Sequence, residues 1–258
     1  MKVLLILVDG MRPDSLEGID FVNYLKKESS YCLNACTVVP SGTLSAIMSL
    51  SLSVTPQCHG VISNEFTPMF HSYDSIFEHL KNKGKQSAFY YSWEQLRDIS
   101  KPAYLTKSVM YNNGGDSYGF RSGDEYLYRE FIESLKKESY DFSFLYLGLP
   151  DAMGHDYGWM SSEYIEAVKM SWKKIEQVMR NLGDEYITII TADHGGHERT
   201  HGTSMPEDVL IPLFIHGKGV NKGEKLNNIS ILDIAPTIAK LLSIPPSDKW
   251  EGKSIIDL

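Results

Sequence analysis

The residues of this chain best suited to chemistry are aspartates and histidines that follow apolar runs. Asp9 closes Val3 to Val8 and precedes Gly10. Asp151 and His155 stand in Pro150-Asp151-Ala152-Met153-Gly154-His155, just after the run from Phe142 to Leu149. Asp193 and His194 follow Tyr186 to Thr191, and His201 lies seven positions beyond His194. Carboxylates and imidazoles suit Zn²⁺, and also Mn²⁺ or Fe. One ion rarely needs six protein ligands, so the count points to two divalent ions. Their four positive charges face three aspartates, which leaves room for one more anionic ligand. A hydroxyl held as an alkoxide fills that place and is also a nucleophile. Thr43 is the candidate. It sits in Pro40-Ser41-Gly42-Thr43-Leu44-Ser45, which reads as a turn entering a helix. There a hydroxyl meets the positive end of the helix dipole and free backbone N–H groups.

Each of these residues also has a plainer reading. An aspartate after a strand often only caps a helix or a turn, and Ser41, Thr43 and Ser45 taken singly read as N-caps. His59, His71, His79 and His216 read as structural. His197 lies in the suspect loop but competes with His201 for the ligand role. The cluster as a whole resists the plainer reading.

The elements that must position these residues alternate between apolar runs and amphipathic stretches, the pattern of an α/β fold. Strands are expected at Val3 to Val8, Ser87 to Tyr91, Phe142 to Leu149, Tyr186 to Thr191 and Val209 to Ile215. Their continuous apolar character suggests strands covered on both faces. Ile165, Val168, Trp172, Ile175, Met179 and Leu182 recur at helical spacing, closed by Gly183. Helices are also expected at Ser75 to Lys83, at Asp233 to Leu242 with Pro236 in the first turn, and at Tyr126 to Lys137 behind a capping box of Ser122 and Glu125. In an open, largely parallel sheet, ligands gather at the carboxyl ends of the strands. Residues far apart in sequence would meet there.

Composition bounds the rest. The chain has 258 residues, 42% of them hydrophobic and 22% charged, so a sizeable core can form. A net charge of −8 argues against a broad nucleic-acid face, yet leaves room for a small anionic substrate, because metal ions invert the local field. No stretch reaches the length of a membrane helix. The first apolar run is too short for a signal-peptide core and lacks a cleavage site, so it is expected to be a strand and the protein cytoplasmic. Three cysteines, Cys32, Cys36 and Cys58, fit reduced thiols rather than a disulfide framework, and Cys32 with Cys36 lacks the second pair that a structural zinc needs. The sequence specifies no oligomeric state.

Taken in order, the motifs resemble the alkaline phosphatase superfamily, in its nucleotide pyrophosphatase/phosphodiesterase branch. Val8-Asp9-Gly10-Met11-Arg12-Pro13-Asp14 resembles the opening motif, and Pro40 stands three before Thr43 as in that branch. His59-Gly60 and then Asn64 follow. Asp151-Ala152-Met153-Gly154-His155-Asp156-Tyr157-Gly158 resembles the D-x-x-G-H-x-x-G signature. Asp193-His194-Gly195 and His201-Gly202 resemble the closing metal motifs, and Asp233 to Ile238 resembles the helix that ends the core. The resemblance implies a three-layer α/β/α sandwich around a mostly parallel sheet, with residues 1–258 as a single alkaline phosphatase-like catalytic domain. It implies one metal on Asp151, His155 and His201, and another on Asp9, Thr43, Asp193 and His194, most readily Zn²⁺ with Mn²⁺ as alternative. It implies a phosphothreonine intermediate on Thr43 and an anchor for a phosphate oxygen at Asn64. The expected activity is a type I phosphodiesterase or nucleotide pyrophosphatase acting on a small phosphate ester. The alternatives are a phosphomonoesterase or phosphonate hydrolase on the same core, or a metal-binding protein without activity. Leu44 replaces an aromatic residue that stacks on the base in nucleotide-cleaving members, and Gly42 replaces a frequent lysine. The serine or cysteine pattern of sulfatases is absent. The serine and inserted second domain of the cofactor-independent phosphoglycerate mutases are absent too.

Overall fold

The computed structural model describes residues 1–65, 73–112 and 114–256. In chain order the elements are β1 (Lys2–Val8), α1 (Asp20–Glu28), β2 (Ser30–Cys36), α2 (Thr43–Leu52), α3 (Pro56–His59), α4 (Ile76–Asn82), β3 (Ser87–Tyr91) and β4 (Lys107–Met110). They continue with α5 (Ser117–Lys137), β5 (Phe142–Leu147), α6 (Leu149–Tyr157), α7 (Ser162–Arg180), β6 (Tyr186–Thr191), α8 (Pro206–Val209), β7 (Leu210–Gly217) and α9 (Ile234–Leu241). His71 lies outside the described residues.

The strands form one sheet in the order β2-β7-β6-β1-β5-β3-β4. Only β7 runs against the rest: it pairs antiparallel with both β6 and β2, and the other pairings are parallel. The central strands are apolar on both faces because both are covered. Helices α2, α4 and α9 lie together on one side, reaching β1 and β3, while α5, α6 and α7 lie together on the other, with α5 against β3 and β5. The result is the expected three-layer α/β/α arrangement. Every residue of α2 is buried, as befits a helix that is apolar around its circumference. Two of its serines are satisfied locally: Ser45 Oγ donates to the Val61 carbonyl (2.9 Å), and Ser49 Oγ pairs with His59 Nε2 (2.9 Å).

Several expectations shift. The run from Phe142 ends as a strand at Leu147; Leu149 and Pro150 already open α6, where Pro is tolerated because the first-turn N–H groups have no helical partner. The Ser122–Glu125 capping box does not exist. Helix α5 begins earlier, at Ser117, capped by Asp116 through a hydrogen bond from Gly119 N (2.7 Å), and Ser122 Oγ instead donates back to the Tyr118 carbonyl. A genuine capping box stands at Ser75 and Glu78, at the start of α4. Strand β7 starts at Leu210, since Val209 still belongs to α8. Strands β2 and β4 carry no strong apolar signal. One is an edge strand with a bulge between Cys32 and Ala35, and the other is a four-residue edge with alternating burial.

What positions the site is register. Val8 of β1 aligns with Leu147 of β5, and Leu7 with Thr191 of β6, so the carboxyl ends of the three central strands finish together. Asp9 N continues the ladder to the Leu147 carbonyl (2.9 Å). The β5–α6 junction is held by Asp124 of α5, which accepts from the backbone N–H of Gly148 (2.9 Å) and Leu149 (3.2 Å). Burial pushes the pKa of Asp124 up to about 7 against these hydrogen bonds. Replacing Asp124 by alanine strands two buried donors. Denaturant unfolding should therefore register a loss of about 1–3 kcal/mol, with Asp124→Asn milder; an unchanged midpoint for the alanine variant would remove Asp124 from this role.

Candidate active site

All six Asp and His residues singled out in the sequence meet at the carboxyl edge of the sheet. Asp9 follows β1, Asp151 and His155 lie one turn apart on α6, and Asp193 and His194 follow β6. His201 returns over the same edge on the loop before α8. Two groups lie close enough to share an ion: Asp151, His155 and His201; and Asp9, Asp151 and His194. Asp151 Oδ1 stands between them, 3.7 Å from His201 Nε2 and 4.0 Å from His194 Nε2. His194 Nε2 also lies 3.3 Å from Asp9 Oδ1 and 3.5 Å from Asp193 Oδ2. The division into two sites drawn from the resemblance is thus softened, since Asp151 touches both groups.

Thr43 is the first residue of α2, with Gly42 as N-cap, and its Oγ1 lies 3.0 Å from His194 Nε2. The three histidines share one orientation rule. The Nδ1–H of His155, His194 and His201 donates to the backbone carbonyls of Arg199 (3.0 Å), Gly195 (2.7 Å) and Ser41 (2.9 Å). This leaves each Nε2 lone pair for a ligand, as in metal sites whose imidazoles are fixed by outer hydrogen bonds. His197 differs: its Nδ1 pairs with Asp208 Oδ1 at 2.7 Å, away from both groups. His59, His79 and His216 bond to Ser49, the Pro245 carbonyl and the Glu28 carbonyl, in keeping with structural roles.

The electrostatics call for cations. Asp9 and Asp193 are fully buried, and Asp9 Oδ1, Asp151 Oδ1 and Asp193 Oδ2 have no hydrogen-bond partner. Burial first, and then the neighbouring carboxylates, raise all three acids: Asp9 through Asp193, Asp151 through Asp9, and Asp193 to about 8 through Asp151. Burial, reinforced by His194, lowers the pKa of His201 to about 3, and burial also lowers that of His155. Neutral imidazoles facing orphaned carboxylate oxygens form a donor set that fits divalent metal ions.

Residues absent from the sequence reading complete the site. Tyr146, inside the apolar run of β5, donates its hydroxyl to Asp9 Oδ2. Asp208 accepts from His197 and from both the backbone and the hydroxyl of Thr203 (2.9 and 2.8 Å), bracing the loop that carries His201. Gly10 has φ of +67°, and a Cβ there would lie 3.0 Å from Asp151, so the turn after β1 needs glycine. Each signal was hidden in an ordinary context: a tyrosine in a strand, an aspartate in a surface-like turn.

A cleft of about 310 Å³ opens over Thr43, Asp9, Asp151, His155 and His201. Asn64 lines it, and its Oδ1 accepts from Leu44 N (3.0 Å), leaving the amide NH₂ as its donor. Trp93, Phe120, Asp116 and Asp156 line the cleft as well. Among the described residues, no lysine or arginine lines the cleft. Arg12 is turned aside, bonding the Gly196 carbonyl (2.9 Å) and Asp14.

A profile of the type I phosphodiesterase / nucleotide pyrophosphatase family matches residues 3–204. The chain belongs to this family. The human ectonucleotide pyrophosphatase/phosphodiesterase family member 1 is 27% identical over 217 residues, 74% of this chain and 23% of that protein. A phosphopentomutase of Acetivibrio thermocellus is 29% identical over 163 residues, 63% of this chain and 38% of that enzyme. The 2,3-bisphosphoglycerate-independent phosphoglycerate mutase of Clostridium acetobutylicum is 25% identical over 138 residues, 50% of this chain. The chain spans 26% of the phosphoglycerate mutase and 38% of the phosphopentomutase, a minor part of each. Murine ectonucleotide pyrophosphatase/phosphodiesterase 5, solved as an inactive variant with AMP, superposes with a TM-score of 0.79 at 15% identity, covering 95% of both chains. The phosphonate monoester hydrolase of Agrobacterium radiobacter gives 0.74 at 14% identity, covering 98% of this chain and 76% of that one. These structures share the fold.

The raised acids set a pH dependence for the metal-free protein. Asp193 rises from 3.8 unfolded to about 8 folded, so between those values the folded state holds protons that the unfolded state has released. Its contribution is present below the unfolded pKa and is lost as pH rises through the folded one. His201, lowered from 6.5 to about 3, acts oppositely, but only up to the unfolded value of 6.5. Chelator-stripped protein should therefore lose stability between pH 6.5 and 8. Added Zn²⁺ should flatten that slope and release protons on binding, measurable by calorimetry in buffers of different ionisation enthalpy. A stripped protein equally stable across this window would contradict the assignment.

Proposed function

We propose that this chain is a metal-dependent hydrolase of phosphate esters, a type I phosphodiesterase acting through a phosphothreonine intermediate. The carrying observation is Thr43: a buried hydroxyl at the first residue of α2, 3.0 Å from His194 Nε2 and beside the group of Asp9, Asp151 and His194. We assign two divalent ions to the site, Zn²⁺ first and Mn²⁺ second, and residues 1–258 to one catalytic domain. Bound there, such ions would lower the pKa of a coordinated hydroxyl and offset phosphoryl charge.

The protein's own groups do the rest. His194 holds the Thr43 hydroxyl at the amino end of α2, whose free N–H groups favour negative charge. Thr43 Oγ forms a bond to phosphorus as the ester oxygen on the opposite side leaves. Water then displaces Oγ in the same in-line manner, releasing the monoester product. Asn64 offers a neutral N–H donor to a non-bridging oxygen, which suits the single negative charge of a diester. The absence of a described lysine or arginine along the cleft supports the same preference. Three unpaired thiols support a cytoplasmic setting.

Three measurements test this reading. Thr43→Ala should lower kcat on the order of 10³-fold or more with the fold intact, Thr43→Ser should retain part of the activity, and a chiral phosphorus substrate should show retention; inversion would replace Thr43 with direct attack by water. Elemental analysis should find two metal equivalents per chain, with His201→Ala giving up one more readily than the other. For bis-p-nitrophenyl phosphate against p-nitrophenyl phosphate, kcat/KM should favour the diester; a tenfold advantage for the monoester, about 1.4 kcal/mol, would make the protein a phosphomonoesterase. No turnover of any ester by metal-loaded protein would leave only a metal-binding role.

A further inference from the structure

Trp159 stands two residues past α6, and its environment is unlike that of a core tryptophan. Its backbone N–H donates to the Glu198 carbonyl (2.7 Å), and its indole Nε1 donates to the Gly10 carbonyl (2.9 Å). Gly154 and Gly196 lie flush against the indole: a Cβ would sit 2.7 Å from it at the first and 2.2 Å at the second. The ring also meets His155 edge-on, with centroids 5.1 Å apart at 84°, and His201 at 5.8 Å and 64°.

These contacts have one thing in common. Gly10 follows Asp9, Gly154 precedes His155, Gly196 lies two beyond His194, and His201 is touched directly. One indole therefore reaches each of the four backbone segments that bring ligands to the two groups. Simple space-filling would not require two glycines, because larger side chains could fill the same volume against a smaller neighbour. The glycines leave a slot shaped for this ring. The hydrogen bond is not what the slot exists for, because the Gly10 carbonyl also accepts from Tyr164 Oη at 2.8 Å.

We propose that Trp159 is a positioning residue that sets the spacing of the metal-ligating segments, through the faces and edge of its ring rather than through its N–H. The inference rests on the metal-dependent reading of the site. Ring contacts limit how far the His155 and His201 imidazoles can rotate, and outer contacts of this kind govern metal affinity.

The test uses chelator-stripped full chain. Wild type, Trp159→Phe and Trp159→Ala are titrated with Co²⁺, with readouts of bound metal, the visible absorption of the bound ion, and the melting temperature with and without metal. Trp159→Ala should weaken one of two sites about 10- to 100-fold, alter the Co²⁺ spectrum, and shrink the metal-induced rise in melting temperature. Trp159→Phe, which keeps a ring but no N–H, should stay within a few fold of wild type, and it carries the test if the alanine variant does not fold. Should Trp159→Ala bind both ions with wild-type affinity and spectrum, while melting lower with and without metal alike, Trp159 is a packing residue only and the inference is overturned. A phenylalanine variant with wholly altered affinity and spectrum overturns it as well, because the N–H would then be what matters. A wild type that binds no Co²⁺ overturns the metal-dependent reading itself, and this inference with it.

Discussion

Three carboxylates within reach of one another, two of them buried, are the constraint around which this protein is built. With Asp9 and Asp193 isolated from water and Asp151 beside them, the three cannot all ionise unless positive charge joins them. The fold supplies little of that charge. Arg12 is committed to Asp14 and a carbonyl, and the three nearby imidazoles have Nδ1 donating to the backbone, so that Nε2 is left as an acceptor. Tyr146 bonds one oxygen of Asp9 and Gly10 N bonds one oxygen of Asp193, while the oxygens that face inward stay unpaired. Such an arrangement is expensive for a bare protein and well suited to holding cations.

The sheet makes the convergence possible. Parallel strands with matched carboxyl ends deliver residues from opposite parts of the chain to one edge, with the turns after them free to carry polar side chains. The β5–α6 connection is a single residue, Gly148, so Asp151 falls in the first turn of a helix whose amino end favours negative charge. Helix α2 approaches from the other layer and places Thr43 against the same group. Rigid elements on both faces thus fix the candidate ligands and Thr43, as a site needing sub-ångström geometry requires.

The cleft above them divides chemically. It joins the polar cluster, which demands cations, to a wall of Trp93 and Phe120 with Asp116 and Asp156. Asp116 caps α5 and so offsets the positive end of that helix's dipole on this wall. The cleft therefore offers aromatic surface and negative charge beside the candidate metal ligands. Leu44 is buried, and its backbone N–H serves to orient Asn64.

Much of this was legible without coordinates, because the signals were local and long enough to be unambiguous. Buried strands read as apolar runs, the α7 stripe as helical spacing, Asp9, Asp151, His155, Asp193 and His194 as polar residues following such runs, and Thr43 as the hydroxyl of a turn entering a helix, with His201 seven positions past His194. The edge strands β2 and β4 escaped, since their pairing depends on a neighbour's hydrogen bonds rather than on their own hydrophobicity. The start of α5 was misplaced because Ser122 and Glu125 match a capping pattern by type while Asp116 has the position to cap. Tyr146 and Trp159 were invisible for a further reason. A tyrosine in a strand or a tryptophan after a helix looks like core until the partner across space is known, and those partners lie up to 149 residues away in sequence. Sequence determines which residues stand at element ends; only packing of the layers decides which of them come close enough to share an ion, which imidazole turns outward, and which ring the segments pack against.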